Sequence, residues 1–335
     1  MKFLRGVTGV ASVAALALGL AACGGGDSNG GNDADAGGSG DGDLTTIGFV
    51  AVGPEGAWRQ ANETNIQETF TEDEGFDLKF APAANLDQKS QIDAFTSFVD
   101  QEVDLILLSA TEGSGWESSL ELAQEAEIPV ILIDRGIEPD NTDLYVTRIA
   151  PDNIEVATSV AEWAAETFPD GANYVTLEGP AGVSVVNERN EGFDAFMEDH
   201  PEFEQVDAQT ANWSTEEAKS VFETMLKANN NDIQFVFAQN DEMGLGAAQA
   251  AEEAGLEPGE DVKIATIDGT ENALKALADG QLSFVAEYNP IFDEVALDVV
   301  NKTLAGESVE SYIIVPSETF DSPEAAEEAL PDRAF

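Results

Sequence analysis

Cysteine and histidine are almost absent, with one of each, Cys23 and His200, in 335 residues. That excludes a disulfide within the chain, thiolate metal sites and histidine-based zinc chemistry. A Ser-His-Asp mechanism would need His200, whose setting, Glu198-Asp199-His200-Pro201, reads as a solvated turn. No metal, no cofactor and no catalytic residue is expected. Basic side chains are also scarce, 14 against 66 acidic ones, for a net charge of −52. Such a surface repels phosphate and anionic head groups, so nucleic acid is not an expected partner. A salty habitat and an ordinary acidic secreted surface both fit this charge.

Long hydrophobic runs are missing too. The apolar stretch Val10–Leu20 is too short to span a bilayer and follows Lys2 and Arg5, which reads as a signal peptide over residues 1–22. Leu20-Ala21-Ala22-Cys23 ends it as a lipobox. Cleavage there makes Cys23 the first mature residue, its thiol free for a diacylglycerol and its amine for a further acyl chain. Several chains anchor durably where one does not, so the chain is expected at the membrane surface, extracytoplasmic and held by lipid alone. Cleavage leaves 12 basic residues against 66 acidic ones, a net charge of −54. Residues 23–43 are Gly/Asp-rich with almost nothing apolar, and predict a flexible tether with a root-mean-square reach on the order of 25 Å.

From Leu44 short apolar runs alternate with helical spacings, the mark of parallel sheets covered by helices. Thr46–Val50, Asp104–Leu108 and Pro129–Ile133 are continuous apolar strands, and Ile92, Phe95, Phe98 and Val99 hold a helical spacing between them. The rhythm restarts with strands Tyr174–Leu177, Ile233–Phe237 and Val262–Ile267, separated by helices near 185–199, 215–228 and 242–254. A helix over Phe292–Leu304 and a strand at Tyr312–Val315 follow. The fold class is α/β, and the length exceeds one ordinary core, which implies two Rossmann-like lobes.

Ligands of open parallel sheets sit beyond the carboxyl ends of the strands. There the chain places Glu55, Trp58 and Arg59, then Asp134 and Arg135, then Asn240, Asp241 and Asp268, with Arg189 in the helix after the strand near 177. Three of the five arginines that follow Cys23 fall in these segments. Carboxylates, amides and the guanidinium fork can bridge neighbouring hydroxyls, and Trp58, Trp116 and Trp213 offer faces for the apolar side of a sugar ring. Mixed acids and arginines favour a neutral sugar. Each residue also has a structural reading. Trp213 precedes Ser214-Thr215-Glu216-Glu217 and could staple that helix, Asn240 or Asp241 could cap the next, and Asp134 and Arg135 could pair with each other. Trp116 could pack inside its helix, and Glu55 could be a solvated loop acid.

Gly56-Ala57-Trp58-Arg59, Gly115-Trp116-Glu117, Asp134-Arg135, Asn187-Glu188-Arg189, Gln239-Asn240-Asp241-Glu242-Met243 and Ile267-Asp268-Gly269 together resemble the type 1 periplasmic sugar-binding proteins of the ribose and galactose group. The resemblance covers nearly everything after Leu44 and is strongest to the galactofuranose-binding branch. It implies a monosaccharide ligand held by Trp58, Arg59, Asp134 and Arg135 from one lobe and by Arg189, Trp213, Asn240 and Asp268 from the other. Glu287, in Ala286-Glu287-Tyr288-Asn289-Pro290, departs from the Gln of ribose binders and favours another sugar. The resemblance also implies a three-segment hinge near residues 150, 288 and 316. The first lobe would then comprise 44–150 with 289–316, and the second 151–288 with 317–335. An ABC importer permease is the implied partner, and the protein is expected to be a monomer and not an enzyme. A sugar sensor docking on a membrane receptor would carry the same site. A sugar-processing enzyme would need two carboxylates at catalytic separation, which the sequence does not establish.

Overall fold

The structure, a computed structural model, describes residues 44–333 and 335. The expected signal peptide, the expected lipid attachment at Cys23 and the expected tether lie outside the described residues. The chain first forms β1 (Thr45–Ala51), α1 (Ala57–Thr69), β2 (Phe76–Pro82), α2 (Gln88–Asp100), β3 (Leu105–Leu108), α3 (Glu117–Glu125), β4 (Val130–Ile133) and β5 (Thr147–Ala150). It continues through α4 (Asn153–Thr167), β6 (Asn173–Glu178), α5 (Ser184–Met197), β7 (Glu204–Thr210), α6 (Thr215–Ala228) and β8 (Phe235–Ala238). Next come α7 (Asp241–Glu253), β9 (Lys263–Asp268), α8 (Glu271–Ala278) and β10 (Phe284–Glu287). The last part holds α9 (Asp293–Leu304), β11 (Tyr312–Ile314), β12 (Thr319–Phe320) and α10 (Pro323–Ala329).

Two six-stranded sheets result, ordered β11-β5-β4-β3-β1-β2 and β12-β10-β9-β8-β6-β7. Every pairing is parallel except that of β12 with β10. The central strands explain themselves. Leu105–Leu108 and Val130–Ile133 are apolar throughout and buried throughout, because helices cover both faces of a parallel sheet. Each such side chain contributes about 1.5–3 kcal/mol through its burial. Caps fix where helices start. Asp87, Asp152, Ser214, Thr270 and Ser322 each accept a backbone N–H of the first turn of α2, α4, α6, α8 and α10.

The two sheets share one strand order, β1 matching β6, β3 matching β8 and β4 matching β9. This is the doubly wound α/β architecture expected from the alternation of strands and helices. The chain passes between the sheets three times, after β5, after β10 and after β11. Gly244-Leu245-Gly246, which begins like a dinucleotide-binding string, lies inside α7. Its glycines serve close packing, since a Cβ would come within 2.0 Å of Thr266 Cγ2 at Gly244 and within 2.3 Å of the Thr215 carbonyl at Gly246.

Candidate ligand-binding site

The carboxyl ends of β1 and β4 face those of β6, β8 and β9 across a cleft with about 390 Å³ of non-atom space, open solvent included. Glu55, Gly56, Trp58, Arg59, Asp134 and Arg135 line it from the first lobe, and Val185, Arg189, Trp213, Asn240, Glu242 and Asp268 from the second. Tyr288 closes it at the second crossing.

The site is built twice from equivalent parts. In the first lobe Arg59, on the helix after β1, pairs with Asp134, the residue just after β4. In the second, Arg189, on the helix after β6, lies 3.5 Å from Asp268, which ends β9. Both aspartates hold positive φ, 65° at Asp134 and 132° at Asp268. Such backbone costs about 1–3 kcal/mol in a residue with a side chain and persists where its surroundings fix it. Here it aims two carboxylates at one space.

Asp134 is buried, which by itself would raise its pKa. Arg59 and Arg135, with hydrogen bonds from Arg59 and Tyr288, outweigh that and hold the carboxyl below its usual range. Tyr288 donates its hydroxyl to Asp134 Oδ1 at 2.8 Å. Arg135 pairs with Glu55 and donates Nη1 to the carbonyls of Ala110 and Thr111, both at 3.3 Å. Arg59 reaches Ser109 Oγ at 3.3 Å and lies over the Trp58 ring at 4.8 Å. Among the described residues the Nε–H groups of Arg59, Arg135 and, outside the cleft lining, Arg333 are buried without a hydrogen-bond partner. An unpaired buried donor costs about 1–3 kcal/mol, and the carboxylate oxygens facing the first two, Glu55 Oε2 at Arg59 and Asp134 Oδ2 at Arg135, stand 3.9 Å away.

In the second lobe Arg189 donates Nε to Asn153 Oδ1 at 3.0 Å and Nη1 to the Gln239 carbonyl. Its guanidinium sits over the rings of Trp213, at 5.6 Å, and Tyr288, at 4.8 Å. Burial pushes the Asp268 carboxyl well up; Arg189 opposes this, and Asp241, Glu242 and Asp134 add to it. Burial also raises Glu242, whose Oε1 accepts the Ala57 N–H at 3.2 Å, so that an acid of the second lobe caps α1 of the first.

Several residues with two sequence readings line the cleft and make the structural contacts as well. Asn240 lines the cleft and caps α7, accepting the Met243 N–H at 3.0 Å. Trp213 lines the cleft, packs its ring on Gly179, where any Cβ would clash, and sits beside the Ser214 cap of α6. Asp134 and Arg135 are ion-paired and still face the cleft. Glu55 is paired with Arg135 rather than solvated.

Two expected site residues are placed elsewhere. Trp116 is 1% exposed; its Nε1 donates to the Glu112 carbonyl at 2.8 Å and its ring packs against Phe95 in the first-lobe core. The turn that starts α3 folds the indole inward, so the packing alternative describes it. Glu287 pairs with Arg333 at 2.5 Å and accepts the Glu318 N–H at 3.0 Å, behind the hinge. Successive residues of an extended strand point to opposite sides, so with Tyr288 facing the cleft Glu287 faces away. Sequence reasoning missed Tyr288, Glu242, Val185 and Gly56. The alternation along Val285–Tyr288 was the available signal for Tyr288, and the position of Glu242 just inside the α7 N-terminus was the signal for that acid.

Two lobes that end like strands of a doubly wound sheet on a shared polar cleft define a solute-binding protein. The profile of the periplasmic binding protein domain matches residues 47–308, and the chain belongs to that family, near its galactofuranose and fructose branch. It is 49% identical over 322 residues to the fructose import binding protein FruE of Bifidobacterium longum, covering 95% of this chain and 94% of that one. It is 36% identical over 288 residues to the galactofuranose-binding protein YtfQ of Escherichia coli, covering 85% and 90%. A Mycobacterium smegmatis crystal structure in complex with β-D-fucofuranose superposes with a TM-score of 0.81 at 39% identity, covering 86% of this chain and 95% of that one. Membership implies an extracytoplasmic location. Among the described residues no helix is long and apolar enough to cross a membrane.

Proposed function

We propose that this protein captures a neutral monosaccharide in the cleft between its lobes and delivers it to an ABC importer, acting as a monomer without chemistry on the sugar. The observation that carries this is the doubled Arg–Asp construction, Arg59 with Asp134 and Arg189 with Asp268, converging on one space beside Trp58 and Trp213. Carboxylates and guanidinium forks on both sides suit neighbouring hydroxyls, while the indole faces suit the apolar side of a ring. The names of the relatives favour a sugar taken in furanose form, such as fructose or galactofuranose. Residues 44–150 with 289–316 and 151–288 with 317–335 would move as two bodies about the three crossings, the sugar gaining its full contacts only when both close on it.

A thermal-shift screen of furanose-forming and pyranose sugars tests the reading. At about 100 times its dissociation constant a ligand adds roughly 2.7 kcal/mol of stability. That corresponds to a rise in Tm of about 5 °C or more for a protein of this size. The sugar that gives it should be recovered unchanged after prolonged incubation. A flat response across the panel, or conversion of the sugar, would count against capture.

Attachment is proposed through Cys23, from Leu20-Ala21-Ala22-Cys23 and the lack of any second cysteine. Cys23→Ala should move the protein from the membrane fraction to the soluble one. Equal membrane retention of the variant and the parent would refute the anchor.

A further inference from the structure

Arg148 and Glu188 are absent from the cleft lining, and no role in sugar contact falls to them. Arg148 stands on β5 of the first lobe and Glu188 on α5 of the second. They meet as a fork on a fork, Nη1 to Oε1 at 2.5 Å and Nη2 to Oε2 at 2.9 Å. The third nitrogen of the guanidinium, Nε, donates to the Asp134 carbonyl at 2.6 Å. On the other side Glu188 Oε2 accepts Asn153 Nδ2 at 2.8 Å, and Asn153 Oδ1 accepts Arg189 Nε at 3.0 Å. The second Asn153 Nδ2 hydrogen goes to the Tyr288 hydroxyl at 3.0 Å, which in turn donates to Asp134.

We propose that the Arg148–Glu188 pair is an inter-lobe latch that holds the closed state and positions Asp134 and Arg189 for the sugar. Every hydrogen bond in the chain from Asp134 to Arg189 runs through this pair or through Asn153 and Tyr288, which stand at two of the crossings. Separating the lobes breaks the pair and uncouples Asp134, which keeps Arg148, from Arg189, which keeps Asn153. The bidentate geometry depends on how the lobes are oriented, since the planar fork fits its carboxylate in one orientation. A contact made in only one of two states shifts the population toward that state by its own differential free energy. Arg148 and Glu188 are thus positioning residues whose effect falls on dissociation more than on encounter.

The latch rests on the capture reading for its purpose, and its test has one arm that needs no sugar. Ala57 donates to Glu242, Gly113 N–H to the Gly182 carbonyl at 3.2 Å and Gly136 N–H to Ser184 Oγ at 2.9 Å, all between lobes. Amide exchange at these three positions therefore reads opening. In the full chain without sugar, Glu188→Gln should speed exchange there about tenfold, with the β3 and β4 amides unchanged. Arg148→Met should do the same, and the double variant should add less than about threefold to either, because one interaction is lost in all three. With the sugar found in the thermal screen, stopped-flow tryptophan fluorescence should show dissociation about tenfold faster and association changed less than about threefold. Should Glu188→Gln fail to fold, Glu188→Asp, which keeps the charge but shortens the reach, carries the same expectation. Wild-type exchange at all three amides in the variants would overturn the latch. Fast exchange in the variants with no sugar binding to the wild type would leave the latch standing and overturn capture instead.

Discussion

Arg189→Ala should weaken sugar binding at least about a hundredfold in calorimetry while the protein stays folded, and Asp268→Ala should do much the same. A hundredfold loss is about 2.7 kcal/mol, within the reach of one charge-assisted group removed from a buried site. Arg189 joins Asn153, the Gln239 carbonyl and Asp268 and lies over the faces of Trp213 and Tyr288, so its loss disorders most of the second-lobe half of the cleft. It also leaves Asp268 near Asp241, Glu242 and Asp134 without the cation that offsets them. Asp268→Ala removes an acid that burial already disfavours, so the fold is expected to tolerate it, and what is lost is a group aimed at the sugar. Unchanged affinity in both variants would remove the pair from the site.

Much of this arrangement was legible in the sequence because parallel sheets leave a plain record. Leu105–Leu108 and Val130–Ile133 are continuous apolar runs of strand length, as strands buried on both faces are, and the residues that follow such strands fall at the ligand end by topology alone. Asp134 and Asp268 were visible for that reason. Arginine scarcity made Arg59, Arg135 and Arg189 stand out, since a chain that spends so few cations and buries these three has a use for them. What escaped was direction. Trp116 and Trp58 both stand where a loop enters a helix, yet one indole turns into the core and the other to the cleft, and no spacing distinguishes them. Tyr288 escaped because its neighbour Glu287 carried the charge, although only one of two adjacent extended residues can face the cleft. The fork of Arg148 with Glu188 joins elements of different lobes, 40 residues apart, and that kind of juxtaposition is visible only once the chain is folded.

Asp241 should prove the most costly second-lobe residue to truncate, although it stands behind the cleft lining. It is fully buried at the start of α7; Oδ1 accepts the Thr266 hydroxyl at 2.6 Å, and Oδ2 accepts the N–H groups of Gly269 at 2.9 Å and Thr270 at 2.7 Å. Those amides belong to the turn that sets Asp268 in its positive-φ conformation. Asp241→Ala orphans three buried donors, at about 1–3 kcal/mol each, so a loss of about 3 kcal/mol or more is expected in urea or thermal melts. Asp241→Asn keeps the shape, an acceptor for the two amides and a donor for Thr266, and should cost much less. Burial pushes the Asp241 carboxyl up to about 7, with the hydrogen bonds from Thr266 and Thr270 opposing it. An unfolded aspartate titrates near about 4, so between these values the folded state holds the extra proton. Stability from this group is therefore fully present below about pH 4 and is lost as pH rises to about 7, a change on the order of 4 kcal/mol. Asn cannot ionise, so the wild type should lose stability relative to Asp241→Asn across that window while the variant's own curve lacks this component. Melts of both proteins at pH 4.5 and pH 8 decide it: a difference between them that stays constant would show that Asp241 does not carry its proton into the folded state.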